Sequence, residues 1–288
     1  MRRHSSLIII MLACLLPAVP AATSRADELA DHGRDIFKKN QPAVVTVQVV
    51  QKMSYTTPGQ ASTSQESKQD LTGTVVDPSG LTVLALSACD PAEYYRRTMG
   101  ENYSRYKVET EVSDIKILLA DGTEMPAEVV LRDKDLDLGF IRPKTKPASP
   151  MVAVDLSKSA TAQILDQVIT LNRLGRASGR TYAASVERIC AVIQKPRTFY
   201  IPDISPTATA LGSPAFSLNG NILGVVVLRT VNSTDGDNTR ENLSVSIILP
   251  AGDILKAAVQ APEAKGEEAK KETPKDSKEA AKETKAQK

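Results

Sequence analysis

The sequence predicts an all-β fold built as two small barrels in tandem, and three observations predict it. Short runs of β-branched and aliphatic residues alternate with turn signals through most of the chain. These runs fall into two clusters split by a Pro/Lys/Ser-rich connector, "RPKTKPASP" (Arg142 to Pro150). Helical patterning is confined to "ADELADHGRDIFKKN" before the first strand and "AGDILKAAVQ" after the last. The barrels are expected at about 41–145 and 155–250, inside a folded domain of 27–260 with short N- and C-terminal helices.

The 288-residue chain opens on a basic pair, Arg2 and Arg3, and an apolar run, "LIIIMLACLLPAV" (Leu7 to Val19). That run is short for a bilayer span, and "SRADE" then offers a small-x-Ala site. Residues 1–26 therefore read as a signal peptide, with cleavage after Ala26 or nearer Ala21 and Ala22. An uncleaved anchor is the alternative, and Cys14 is a weak candidate for lipid attachment because Met11 precedes it. Export to the periplasm or the extracellular space follows, with no stable membrane insertion once the signal is removed.

Within the first cluster, "AVVTVQVV" (Ala43 to Val50) is a strand, and "GTVVDPSGLTVLALS" (Gly73 to Ser87) is strand, turn, strand. In "IKILLADGTEMPAEVVLRD", Ile115, Ile117 and Leu119 alternate, Asp121-Gly122 turns the chain, and Ala127, Val129 and Leu131 alternate back. "LDLGFIRP" is a further strand. In the second cluster "AQILDQVITLNRLG", "RTYAASVERICAVIQ", "SPAFSLNGNILGVVVLR" with its Asn219-Gly220 turn, and "LSVSIILP" read as strands. The end of the chain, 261–288, is Lys, Glu and Ala with almost no large apolar residue, a charged disordered tail that cannot bury a core. A docking role for it in the envelope is the alternative to a solvated tail.

Composition narrows the function classes. A formal net charge of +2 on an exported chain argues against nucleic acid as a partner. After signal removal, two cysteines and one histidine remain, which makes a zinc site improbable, and no cofactor or metal is expected. Cys89 and Cys190 are as readily two free thiols as a disulfide.

The order and spacing of "GTVVDPSGLTVLALSACD", "LADGTEMPAEVVLRDKDLDLGFI", "VITLNRLGRASGRTYAASVERI" and "TALGSPAFSLNGNILGVVV" resemble the trypsin-like (chymotrypsin-fold) domain of the HtrA (Deg) type of bacterial envelope protease. The resemblance runs from about Gln41 to Leu255 and implies two six-stranded barrels with a catalytic triad between them. The family's nucleophile loop is Gly-Asn-Ser-Gly-Gly-Pro. Pro214, Gly220 and Gly224 keep the family's distances, which puts Leu211 on the nucleophile, Thr209 on the first glycine and Ser213 on the last. The same registration puts Ser87 on the histidine and Asp137 on the aspartate.

Only Asp137 of the triad is therefore matched, and the three positions are expected to face one another at the mouth of the cleft. The residue count agrees independently. The chain has two histidines, His4 in the signal and His32 ahead of the first strand, so neither barrel holds an imidazole to take a serine proton. Loss of triad members costs on the order of 10⁶ in turnover. Thr209 also resists the positive φ that glycine allows, which weakens an oxyanion hole. A dyad of Ser213 or Ser217 with a lysine base is the catalytic alternative.

Between Ser87 and Ile115 the chain inserts "DPAEYYRRTMGENYSRYKVETEVSD" (Asp90 to Asp114), where the family has a short turn. Tyr94, Tyr95, Tyr103 and Tyr106 interleave with Arg96, Arg97, Arg105 and Lys107. Tyr and Arg are favoured at binding hot spots, so the cluster is a candidate partner-binding element, helical around "PAEYYRRTMG". A lid whose tyrosines pack on the barrel and whose arginines face water is the alternative. The function expected is that of an exported, inactive HtrA-type homologue that binds or scaffolds an envelope protein or peptide. An active HtrA-type endopeptidase and a chaperone-like binder of unfolded segments are the alternatives.

Overall fold

The structure is a computed structural model that describes residues 25–99, 103, 107–204, 207, 209–231 and 244–263. The expected signal segment up to residue 24 and the tail from 264 lie outside the described residues, as do Arg105 and Tyr106 of the insertion.

Two closed six-stranded antiparallel barrels form the molecule. The first contains β1 (Val44–Thr56), β2 (Thr63–Val75), β3 (Thr82–Ala85), β4 (Lys107–Leu118), β5 (Glu124–Asp133) and β6 (Leu138–Pro143), closed in the order β1-β2-β3-β6-β5-β4. The second contains β7 (Gln167–Arg173), β8 (Tyr182–Ile193), β9 (Phe199–Pro202), β10 (Pro214–Ser217), β11 (Ile222–Thr230) and β12 (Ser244–Pro250), in the order β10-β11-β12-β9-β8-β7. Closure satisfies the edge groups that an open sheet would expose.

Among the described residues four α-helices accompany the barrels: α1 (Arg25–Asn40), α2 (Leu86–Cys89), α3 (Ala92–Met99) and α4 (Ala251–Ala258). α1 covers the expected segment "ADELADHGRDIFKKN" and begins one residue before it. It packs Phe37 edge-on against Tyr182 of β8, and its His32 Nδ1 lies 3.1 Å from the Leu218 carbonyl.

Three strand assignments need correcting. First, β9 was missed, because four residues ending in proline carry too little pattern to separate from a loop. Second, β1 and β2 run on past the barrel as a long hairpin, pairing from Val44↔Thr74 out to Tyr55↔Thr63. The outer half of β2, "TSQESKQD", is mostly exposed and polar, so hydrophobic periodicity does not reveal it. Third, the insertion ends earlier than Asp114. Lys107 to Asp114 belongs to β4 and pairs with β1 as far as Thr56↔Lys107.

The barrels meet through backbone and hydroxyl groups. Thr72 Oγ1 donates to the Thr209 carbonyl at 2.8 Å, and Thr74 Oγ1 donates to the Gly212 carbonyl at 2.8 Å. Gly212 has φ 89°, and a Cβ there would fall 2.1 Å from the Thr72 carbonyl oxygen. Only glycine allows this close a joint between the two barrels.

Candidate active-site cleft

Ser87 does not sit on a strand, as its sequence neighbours suggested. β3 stops at Ala85 and the chain turns into α2, whose first N–H groups have no partner within the helix. Asp137, from the turn before β6, supplies what local sequence does not. Its carbonyl accepts the Leu86 N–H at 2.9 Å, and its carboxylate accepts the Ser87 N–H at 2.6 Å and the Ser87 hydroxyl at 2.9 Å. The other barrel contributes the Leu228 N–H of β11, at 2.8 Å. Asp137 thus caps a helix from a distance and links the barrels.

It does so with φ 57°, a left-handed conformation that aspartate tolerates better than most residues. Burial pushes its carboxyl up to about 6, against the hydrogen bonds from Leu228 and Ser87 that favour the anion. Among the described residues the carboxylate's hydrogen-bond donors are Ser87 and Leu228, and none is an imidazole.

Leu211 sits in the neighbouring loop, but it is not presented to solvent. It is 6% exposed and joins the hydrophobic core, whereas Ser87 and Asp137 line the cleft. Its backbone is also committed. The Leu211 N–H donates to the Thr207 carbonyl at 3.0 Å, and the Ala210 N–H reaches the same residue's carbonyl at 3.0 Å and hydroxyl at 3.1 Å. An oxyanion hole needs free N–H groups aimed at the developing charge, and this one is already used. A positive φ in this turn falls on Gly212. Ser213 is 1% exposed and donates to the Thr209 carbonyl at 3.3 Å, while Ser217 bonds Asn219 and the Asn221 carbonyl. Neither hydroxyl has a lysine as a hydrogen-bond partner among the described residues.

The insertion frames the cleft with α3. Tyr94 and Tyr95 stack edge to face at 5.6 Å, both partly buried, and the Tyr103 hydroxyl donates to the Val108 carbonyl at 2.7 Å. Arg97 reaches across. It donates to Glu93 at 3.0 Å and to the Lys134 carbonyl at 3.2 Å, and it lies 3.5 Å from the Thr230 carbonyl on β11. Arg96 is exposed and pairs with Glu93. Glu93 also lies 3.7 Å from Lys134, and its carboxyl is held at about 2, chiefly by the hydrogen bond from Arg96. The binding and lid readings therefore divide within one helix: Arg97 and the tyrosines pack, while Arg96 faces water.

The cleft holds about 240 Å³ and is lined from both barrels, with Ser87, Tyr94, Arg97 and Asp137 on one side and Phe199, Leu228 and Arg229 on the other. Sequence reasoning missed Glu93, Arg197, Phe199 and Arg229 here. Only Glu93 left a signal, its helical spacing to Arg96 and Arg97.

Elsewhere the two thiols are free. Cys89 is buried, its thiol pushed up to about 12 by desolvation, and Cys190 is exposed on β8. Among the described residues no cluster of three or more His, Cys, Asp or Glu could hold a metal, and no helix is long and apolar enough to cross a membrane.

The family model described as a trypsin-like peptidase domain matches residues 71–225. A crystal structure of Deg5 aligns over 79% of this chain and 92% of its own, at 14% identity and a TM-score of 0.49. No curated protein matches the chain.

Proposed function

We propose that this chain, which belongs to the trypsin-like peptidase domain family, is a catalytically inactive member of HtrA type that acts as a binding or scaffold module in the cell envelope. The observation that carries the loss of catalysis is the 207–211 turn. A leucine stands at the nucleophile position with its side chain in the core, and its N–H is spent on Thr207. The absence of histidine from both barrels supports the same reading from a separate direction. A carboxylate that caps α2 and ties β11 to the first barrel accounts for the survival of Asp137 without catalysis.

Export is supported by the Arg2-Arg3 pair and the apolar run that follows. The partner is a protein or peptide of the envelope, met at the cleft that α3 frames. The purified chain is expected neither to hydrolyse casein nor to react with a fluorophosphonate probe. Labelling of the unmodified chain that disappears in Ser213→Ala would establish an active serine and overturn the proposal.

A further inference from the structure

The cleft carries a charge imbalance that its protease ancestry does not explain. Its first-barrel side is neutralised from within. Glu93 engages Arg96, Arg97 and Lys134, and Asp135 lies 3.6 Å from Arg97. Its second-barrel side is not. Arg229 stacks 4.4 Å above the Phe199 ring, Arg197 is exposed, and neither forms an ion pair with a carboxylate among the described residues. The remaining acid of the cleft, Asp137, is already bonded to Ser87 and Leu228. The same cleft is also lined by apolar residues, among them Phe199 and Leu249, 4% and 1% exposed.

Two further features limit what can enter. The β11 edge, where an extended peptide would add by main-chain pairing, is occupied: the Leu228 N–H is held by Asp137, and Arg97 stands over the Thr230 carbonyl. Recognition is left to side chains. A cleft of about 240 Å³ is also smaller than the pockets that enclose whole small-molecule ligands, and suits an anchor of one or two side chains. A guanidinium stacked on an aromatic ring is fixed in orientation while its N–H fork stays available, the arrangement that receives a carboxylate bidentately.

We propose that the cleft docks an acidic side chain next to a large apolar one on a partner protein segment, with the carboxylate taken by Arg229 and Arg197 and the apolar group laid against Phe199 and Leu249. The proposal rests on the reading of the chain as an inactive binding module. The probe is a fluorescein-labelled, C-terminally amidated peptide, Gly-Ser-Leu-Glu-Leu-Ser-Gly, titrated against the full chain with anisotropy and intact peptide mass read in the same samples. Saturable binding is expected, weakened about tenfold when the peptide's Glu becomes Gln and by a similar factor in Arg229→Gln or Arg197→Gln. Arg229→Lys keeps the charge and loses the fork, so it should fall between the two. Melting temperatures taken alongside separate loss of the site from loss of the fold. No saturable binding, or equal affinity for the Glu and Gln peptides that is insensitive to both arginine variants, overturns the anion site and leaves the inactive reading standing. Cleavage of the probe overturns the inactive reading itself.

Discussion

Asp137 combines a left-handed backbone, three donors and a raised carboxyl pKa in one residue. A group whose folded pKa lies near 6 and whose unfolded value is 3.8 binds its proton more tightly in the folded state. Its contribution to stability is thus fully present below pH 4 and is lost as pH rises towards 6, by about 3 kcal/mol at most. Chemical denaturation between pH 4 and 7 should show this fall, and Asp137→Asn should flatten it. Asn is the suitable replacement because it tolerates positive φ. A profile unchanged by the substitution would place the titration elsewhere. The register of Leu211 is legible through the resemblance to the HtrA-type domain, because Pro214, Gly220 and Gly224 keep that family's distances, and the same resemblance assigns positions 87 and 137. The Leu211 to Thr207 hydrogen bond was not, because a main-chain bond leaves no trace in residue type. The stacking of Arg229 on Phe199 was invisible for a different reason: the two lie on separate strands, β11 and β9, that are neighbours only through β12 between them.

At the scale of elements, legibility followed burial and length. Strands whose residues are almost all buried, such as β6, announced themselves by composition. The outer part of β2, which is polar on both faces, did not, and neither did the four residues of β9. The helix α3 was foreseen from "PAEYYRRTMG", but its attachment was not. Arg97 touches Glu93, Lys134 and the region of Thr230, so it fastens the helix across two barrels, while the neighbouring Arg96 makes a more exposed pair within one turn. Exposed pairs contribute little, and partly buried charged hydrogen bonds contribute more. Arg97→Ala should therefore lower the unfolding free energy by about 1–3 kcal/mol, and Arg96→Ala by under about 0.5 kcal/mol. Denaturant titration of the two variants gives the comparison directly. Equal effects would mean that α3 is not fastened through Arg97.

Over the whole molecule, catalysis in this fold is a joint property of two barrels, because one supplies the base and its aspartate and the other the nucleophile and the oxyanion donors. Here the joint itself is well kept: Thr72, Thr74 and Asp137 all reach across, and Gly212 allows the backbones to touch. On the proposed reading, what has gone is the chemistry placed on it. Restoring side chains alone should then be insufficient. Ser87→His with Leu211→Ser returns an imidazole and a hydroxyl, but the new His enters a helical turn whose cap is the very carboxylate that must orient it. The Leu211 N–H would remain on Thr207 and stay unavailable to a tetrahedral oxyanion, and one such donor is worth about 10²–10³ in turnover. The double variant is expected to stay unlabelled by a fluorophosphonate probe. Adding Thr209→Gly frees the turn to adopt the backbone that the hole requires, and labelling should first become detectable there. Labelling of the double variant alone would show that the 207–211 turn opens without help, and that the missing side chains were the whole of the loss.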